Sequence, residues 1–240
     1  MSQSKLITSG AYHWSEAPVT KSEGREGRRF AQGTSPQFEY LEIHATTQEK
    51  GAVSKPPHAQ KDIEELIIVK EGKMKFTIGN KSAILGKGSV VLIPPLEMQS
   101  AENVGDGPLT YYVFQFRSKN PMDMARSAKA GGPLFINADT LKYVPSARGG
   151  GIKYFDRATA MCEKFEMHIT ELKSKGPSHD PHMHVETEVI LITEGDSEIT
   201  IDGKHYTATA GDFFIMNSNE MHGVGNASDK PCKYFAFKWR

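Results

Sequence analysis

The sequence predicts an all-β protein made of two tandem barrels, and three observations predict it. Short runs such as EELIIVKEG, KMKFTIGN, SVVLIPP, TYYVFQFR, EVILITEG, SEITIDGK and DFFIMNS are bounded by Gly, Pro, Asn or Asp, which is how strands are punctuated. Several of them alternate apolar and polar residues, the period of a half-buried strand, while no long stretch sustains a helical period. The third observation is an internal repeat. EELIIVKEGKMKFTIGNK resembles TEVILITEGDSEITIDGK, and Gly195 follows Gly72, Gly211 follows Gly88, Glu188 follows Glu65 and Asn226 follows Asn103 at one fixed offset of 123 residues. Short antiparallel strands must close into a barrel or sandwich to bury their apolar faces, so each repeat is expected to be a small two-sheet barrel.

The elements follow in order. Residues 1–37 read as an N-terminal arm of the kind that adds a strand to a sheet edge and covers its unpaired backbone groups. Its basic run GREGRR (24–29) reads as a solvated segment. The N-terminal barrel is placed at 38–117 and begins with FEYLEIHATT, which resembles FEMHITELKS (165–174) at the start of the second copy. A linker at 118–164 carries KAGGPLF and SARGGG and holds the best helix candidate, NPMDMARSAKA (120–130), with Asn120 as cap and Pro121 at the first helical position. The C-terminal barrel is placed at 165–240. IGN (78–80) and IDG (201–203) fall at matching hairpin turns, Asp-Gly being a strong hairpin signal.

Composition excludes several functions. The chain has 240 residues and formal net charge +0, so it lacks the basic surplus of a nucleic-acid or anionic-membrane binder. Charged residues at 24% and hydrophobic residues at 38% are ordinary for a globular protein that buries a core. Cys162 and Cys232 do not make a disulfide framework and are expected as buried free thiols. No run approaches the roughly 18–20 apolar residues of a membrane span, and the first twenty residues lack the apolar core of a signal peptide, which makes cytoplasm the default. A small-molecule substrate is the expected partner, with a homodimer left open.

Chemistry concentrates in GPSHDPHMHVETEVILITEG (176–195). His182, His184 and Glu188 share one parity, so they point from one face if the strand runs through them, with Ile190 and Ile192 continuing that face as an apolar floor. Downstream, GDFFIMNSNEMHGVGN returns His222 toward the same cavity after a strand and a polar turn. Three neutral imidazoles and one carboxylate suit one divalent ion of Mn, Fe, Co, Ni, Cu or Zn and leave open positions on it. Glu188 is the candidate catalytic residue, as ligand and, on detaching, proton acceptor. His168, Phe214, Met216, Asn219 and Glu220 are candidates to line the pocket, His168 equally to face solvent. His179 reads as a rim residue and His205 as a surface hairpin residue.

This pattern resembles the cupin superfamily, whose first motif is G-x5-H-x-H-x3,4-E-x6-G. Gly176, His182, His184, Glu188 and Gly195 match it with every spacing kept. Gly211, His222 and Asn226 match the second motif, G-x5-P-x-G-x2-H-x3-N, while Asn217 and Asn219 replace its Pro and Gly and put the shape of that turn in question. The resemblance covers both repeats and implies a bicupin of double-stranded β-helix, or jelly-roll, barrels. In the N-terminal copy His58, Gln60, Glu65 and Gln99 hold the ligand positions and Pro94 is kept. Amide oxygens are weak, hard donors for a transition metal, so that site is expected to be degenerate. For function the resemblance implies a metal-dependent enzyme on a small anionic or enolic molecule. The three-His, one-Glu set leans toward a quercetinase-like dioxygenase. The alternatives are oxalate-type decarboxylases, sugar or uronate isomerases, and ureidoglycine-type aminohydrolases, whose ligand set differs from this one. Outside catalysis stand a metabolite-binding module and a storage role, which would not require an intact ligand set.

Overall fold

In the computed structural model the described residues are 5–240, so residues 1–4 of the arm lie outside them. The first half holds β1 (Gly10–Tyr12), β2 (Val19–Ser22), β3 (Arg25–Gly33), β4 (Phe38–Gln48), β5 (Glu64–Glu71), β6 (Met74–Ile78), β7 (Lys81–Leu85), β8 (Val90–Ile93), β9 (Gln99–Asn103) and β10 (Leu109–Ser118). After the helix α1 (Met124–Lys129) come β11 (Leu134–Ile136), β12 (Val144–Ser146), β13 (Gly149–Arg157), β14 (Phe165–Leu172), β15 (Gly176–Pro177), β16 (Thr187–Glu194), β17 (Asp196–Ile201), β18 (Lys204–Thr209), β19 (Phe213–Met216), β20 (His222–Asn226) and β21 (Cys232–Trp239). They form two seven-stranded sheets, β11-β8-β5-β10-β4-β3-β2 and β1-β19-β16-β21-β14-β13-β12, with smaller sheets β7-β6-β9 and β15-β20-β17-β18. The architecture is that of two tandem jelly rolls, each a large sheet facing a small one.

The apolar runs are buried on both faces, which is why they lose their alternation at the centre. In β16, Ile190 and Ile192 pack inside the C-terminal jelly roll, while Val189 and Leu191 belong to a third core between the two large sheets. In β5, Ile67 and Val69 point inward and Leu66 and Ile68 outward in the same way. The repeat equivalents Phe114 and Phe237 meet edge-to-face at 5.0 Å in the shared core, a pairing worth about 0.5–1.5 kcal/mol beyond its burial.

The two halves exchange edge strands. β1, which precedes the N-terminal jelly roll, pairs with β19 of the C-terminal one, and β11, which precedes the C-terminal jelly roll, pairs with β8 of the N-terminal one. The arm is fastened where it crosses: Asp212 accepts the Trp14 N–H at 2.8 Å and lies 3.0 Å from His13 Nδ1. Each exchanged strand covers an edge that would otherwise offer unpaired backbone groups. The Asp202-Gly203 hairpin has positive φ at both central residues (45° and 78°), the geometry that its sequence requires.

Four expectations are corrected. GREGRR is not a solvated segment: Arg25 opens β3, Arg28 stacks 4.9 Å from the Trp14 ring and Arg29 lies 3.7 Å from Glu42, because pairing with β4 draws the run into the sheet. The helix starts at Met124, capped by Asp123, whose carboxylate accepts the Arg126 N–H at 2.8 Å; Asn120 and Pro121 lie before it. Residues 118–164 are not a bare linker, since β11 joins one large sheet and β12 and β13 extend the other. SARGGG enters β13, where a Cβ at Gly151 would stand 2.7 Å from the Ile169 carbonyl oxygen. Finally, Phe38 is not the equivalent of Phe165. Trp239 pairs with Phe165 and its repeat mate Phe116 pairs with Leu41, so the first strands align three residues out of the reading from sequence. Both cysteines are free and buried.

Candidate metal centre

β16 begins only at Thr187, so strand parity does not place His182 and His184. Backbone ties between the two motifs do. His182 and His222 form an isolated antiparallel bridge, each N–H donating to the other's carbonyl at 2.9 and 2.8 Å. The Asn219 N–H donates to the His184 carbonyl at 2.7 Å, and Ser218 Oγ to the Val185 carbonyl at 2.6 Å. Asn219 adopts φ 63°, so it supplies the left-handed residue that Gly supplies in the motif, and the turn survives the substitution. Asn217, at the Pro position, donates its side-chain amide to the Ile7 carbonyl at 3.0 Å and to Ser9 Oγ at 2.9 Å, which ties the ligand loop to the exchanged arm.

The ties bring the donor atoms of His182, His184 and His222 within 4.8 Å of one another. Glu188 Oε2 lies 3.1 Å from His184 Nε2 and 3.3 Å from His222 Nε2. The outer ring nitrogens fix the tautomers: His184 Nδ1 faces the Glu186 carbonyl at 3.0 Å and His222 Nδ1 the Glu220 carbonyl at 2.8 Å. A carbonyl only accepts, so each Nδ1 carries hydrogen, and Nε2 of a neutral ring then offers a lone pair to the carboxylate oxygen. Acceptors facing acceptors need a cation between them, either extra protons or a metal. Ligands about 2.0–2.2 Å from an ion stand roughly 3 Å apart when adjacent, the spacing found here. The donor set therefore fits a transition metal, and backbone carbonyls behind the imidazoles are the usual outer support of such a site.

Electrostatics agree. Burial works to raise the Glu188 pKa, yet without a metal, hydrogen bonds through extra protons shared with His184 and His222 outweigh it and hold the group down to about 2. Burial opposes charge on His222 too, but Glu188 and the Glu220 carbonyl raise its pKa. His182 is lowered, by burial first and then by its histidine neighbours.

His182, Glu188 and His222 line a cavity of about 490 Å³ on the inner face of the large sheet. Three rows cross it: Glu188–Lys238–Glu166, Ile190–Ala236–His168 and Ile192–Tyr234–Thr170. His168 faces the cavity, its pKa lowered by burial, and Met216 lines it as well. His179 stands at the edge, 4.5 Å from the His182 ring. Three sequence candidates do not line it. Phe214 is wholly buried below, inside the jelly roll; Asn219 is exposed on the turn; and Glu220 bonds the Asn217 N–H at 2.9 Å with its carboxylate. His205 lies in the surface hairpin, 3.8 Å from Glu198. Sequence reasoning missed Lys238, which lines the cavity 3.3 Å from Glu166. Its signal was the alternation in KYFAFKWR, which puts Tyr234, Ala236 and Lys238 on one face.

The N-terminal copy repeats the frame without the chemistry. His58 and Gln99 form the matching bridge at 3.0 and 2.7 Å, and the Leu96 N–H donates to the Gln60 carbonyl at 2.7 Å from φ 69°. Glu65 accepts from the amides of Gln99, of Gln115 at 2.6 Å and of Gln60 at 3.5 Å. Gln115 occupies the place of Lys238, between Glu65 and Glu42 in register. Neutral amides satisfy this carboxylate, so no cation is called for.

The family model described as Cupin domain matches residues 45–114 and 168–238. The chain belongs to the cupin family. It is a bicupin, since each jelly roll carries its own match. No curated protein matches the sequence. Among solved structures, this cupin is similar to the protein Ylba from E. coli (14% identity, TM-score 0.75, covering 99% of this chain and 93% of that one). It is also similar to AerE from Microcystis aeruginosa (13%, 0.71, 96% and 99%) and to the oxalate decarboxylase of Lactobacillus farciminis (12%, 0.73, 99% and 88%). At these identities the likeness is one of fold. No helix among the described residues is long and apolar enough to cross a membrane.

Proposed function

We propose that this bicupin is a metal-dependent enzyme acting on a small anionic molecule, with His182, His184, Glu188 and His222 holding one divalent transition ion. The observation that carries the reading is the grouping of three imidazoles, donors within 4.8 Å of one another, two of which turn lone-pair nitrogens onto one buried carboxylate beside a cavity. Bound there, the ion would act as a Lewis acid on a substrate oxygen. Its charge less one carboxylate leaves a formal surplus that favours an anion.

The chain's own residues divide the remaining work. Lys238 stands between Glu188 and Glu166 and offers an ammonium to a substrate carboxylate or enolate. Thr170 and Tyr234, two rows further along the same sheet face, add hydroxyl groups that orient it. Glu188, held near pKa 2, favours remaining a charged ligand over accepting a proton. His168, kept neutral by burial, is the better proton acceptor. The finer reading is oxygen-dependent chemistry on an enolic anion, of the quercetinase kind, supported by the ligand set. A second reading, proton transfer or decarboxylation without oxygen, is favoured by the polar lining of His168, Lys238 and Thr170. The oxalate decarboxylase of similar fold was solved as a formate complex, a carboxylate of the proposed class.

The test is turnover of a panel of enols, flavonols and keto-acids by metal-loaded and metal-depleted protein, with oxygen uptake recorded. Metal-dependent turnover with uptake supports the first reading, and the same turnover without uptake supports the second. Equal turnover by the metal-depleted protein would overturn the proposal.

A further inference from the structure

A second cavity, of about 470 Å³, lies between the two jelly rolls. It shares no lining residue with the metal cavity and opens on the opposite face of the C-terminal large sheet, where Ile169, Leu191 and Phe235 alternate with the inward His168, Ile190 and Ala236. Both halves of the repeat build it: the ends of β5 and β16 and the turns at Gly88 and Gly211 are equivalents 123 residues apart.

Its walls are fixed and aromatic. Tyr112, from the N-terminal jelly roll, donates its hydroxyl to the Gly211 carbonyl of the other at 2.7 Å, and Tyr154, in the C-terminal sheet, donates to the Gly88 carbonyl at 2.8 Å. The two phenols are thereby spent on the frame. Phe235 packs edge-on to Tyr154 at 5.1 Å and completes the aromatic wall. A largely preformed, mostly apolar cavity of this size is the usual form of a small-molecule site.

The rim selects a charge. Three lysines and two glutamates line it. Glu194 is matched by Lys233 at 3.7 Å, Glu71 accepts from Thr110 Oγ1 at 2.7 Å, and Lys70 lies 4.8 Å from the Trp14 ring. Lys87 is exposed and enters no ion pair among the described residues. Among the described residues two of the rim lysines thus meet no carboxylate: Lys70 rests on Trp14, and Lys87 stands free beside the hollow. We propose that this cleft is a second ligand site, for a small aromatic monoanion whose ring lies in its mouth against Ile152, Ala138 and the outer edge of Tyr154 and whose carboxylate meets Lys87. A charge-assisted hydrogen bond to that ammonium, together with apolar burial, supplies the recognition. Because the walls come from both jelly rolls, an occupant stabilises their docking and raises the melting temperature.

Equilibrium dialysis of 1-naphthoate tests this on the full chain. Expected is one equivalent per chain, at least tenfold weaker in Lys87→Glu, and tenfold weaker in Ala210→Trp, which fills the cleft from an exposed position. The uncharged 1-naphthalenemethanol should bind at least tenfold more weakly than the acid. Affinity should be unchanged in the double variant His182→Ala/His184→Ala, which removes the metal cavity as the source. No binding to the folded wild type at millimolar ligand, binding indifferent to both cleft variants, or binding lost in the histidine variant would each overturn the proposal.

Discussion

Glu65 and Glu188 occupy the same place in two copies of one fold, and their surroundings differ in a single respect. Both carboxylates are buried, both are the second residue of an equivalent strand, and both face a bridge between the two cupin motifs. Around Glu188 the neighbours are imidazoles with lone pairs turned inward and a lysine; around Glu65 they are three amides with hydrogens turned inward. A buried carboxylate must be compensated. The first surroundings leave the compensation to a cation, and the second supply it from within. On the proposed reading the frame is indifferent to metal, and the side chains at three positions decide.

If that is right, the difference can be moved from one copy to the other. The double variant Gln60→His/Gln99→His rebuilds the imidazole positions of the N-terminal copy, and metal content should rise by about one equivalent per chain. A variant that folds and binds no more metal than wild type would show that more than the donor type separates the copies. The next effect is on stability without metal. Glu188 has a folded pKa near 2, below its ordinary value, so it contributes stability that is present above about pH 4.5 and lost as pH falls toward 2. The contribution is on the order of 3 kcal/mol. His222, whose pKa is raised, contributes stability that is complete below the ordinary histidine range and lost as pH rises through its folded value. Urea unfolding of metal-free protein from pH 2 to 8 should therefore show an acid-side decline that Glu188→Gln removes; an unchanged decline in that variant would assign it elsewhere.

Lys238 and Gln115 are the other half of the comparison. Lys238→Gln gives the C-terminal cavity the amide of its counterpart, and oxalate binding to cobalt-loaded protein should weaken about tenfold to a hundredfold, the worth of a charged hydrogen bond, with metal content unchanged. Oxalate affinity equal to wild type would remove Lys238 from anion recognition. The smallest effect is expected at Asn217, which supports the ligand loop without touching the ligands. Competition against a chelator should show metal affinity in Asn217→Ala down about tenfold, in the range for outer support of a metal site. Full affinity would make the arm irrelevant to the centre.

Much of this was legible before any coordinates. The proposed ligands His182, His184, Glu188 and His222 could be read because their spacing is local and the cupin frame is tolerant, as Asn219 in a glycine conformation shows. The strands could be read because Gly, Pro and Asn punctuate them. What stayed hidden depends on partners far away in the chain. β1 pairs with a strand some 200 residues downstream, and any exposed edge could have received it. Arg25, Arg28 and Arg29 looked solvated because their charge is visible in sequence and their pairing with β4 is not. Lys238 needed the register of β21 against both neighbours before its face was known. Phe214 shares the correct parity but sits too deep, a distance along the strand axis that periodicity does not encode.

The central claim is that one copy holds metal and the other does not. Elemental analysis of purified wild type, His222→Ala and His58→Ala tests it most directly, with folding checked by far-ultraviolet circular dichroism. The account predicts one equivalent per chain in the wild type, nearly none in His222→Ala and one in His58→Ala. Two equivalents in the wild type, or metal retained by folded His222→Ala and lost from folded His58→Ala, would contradict it.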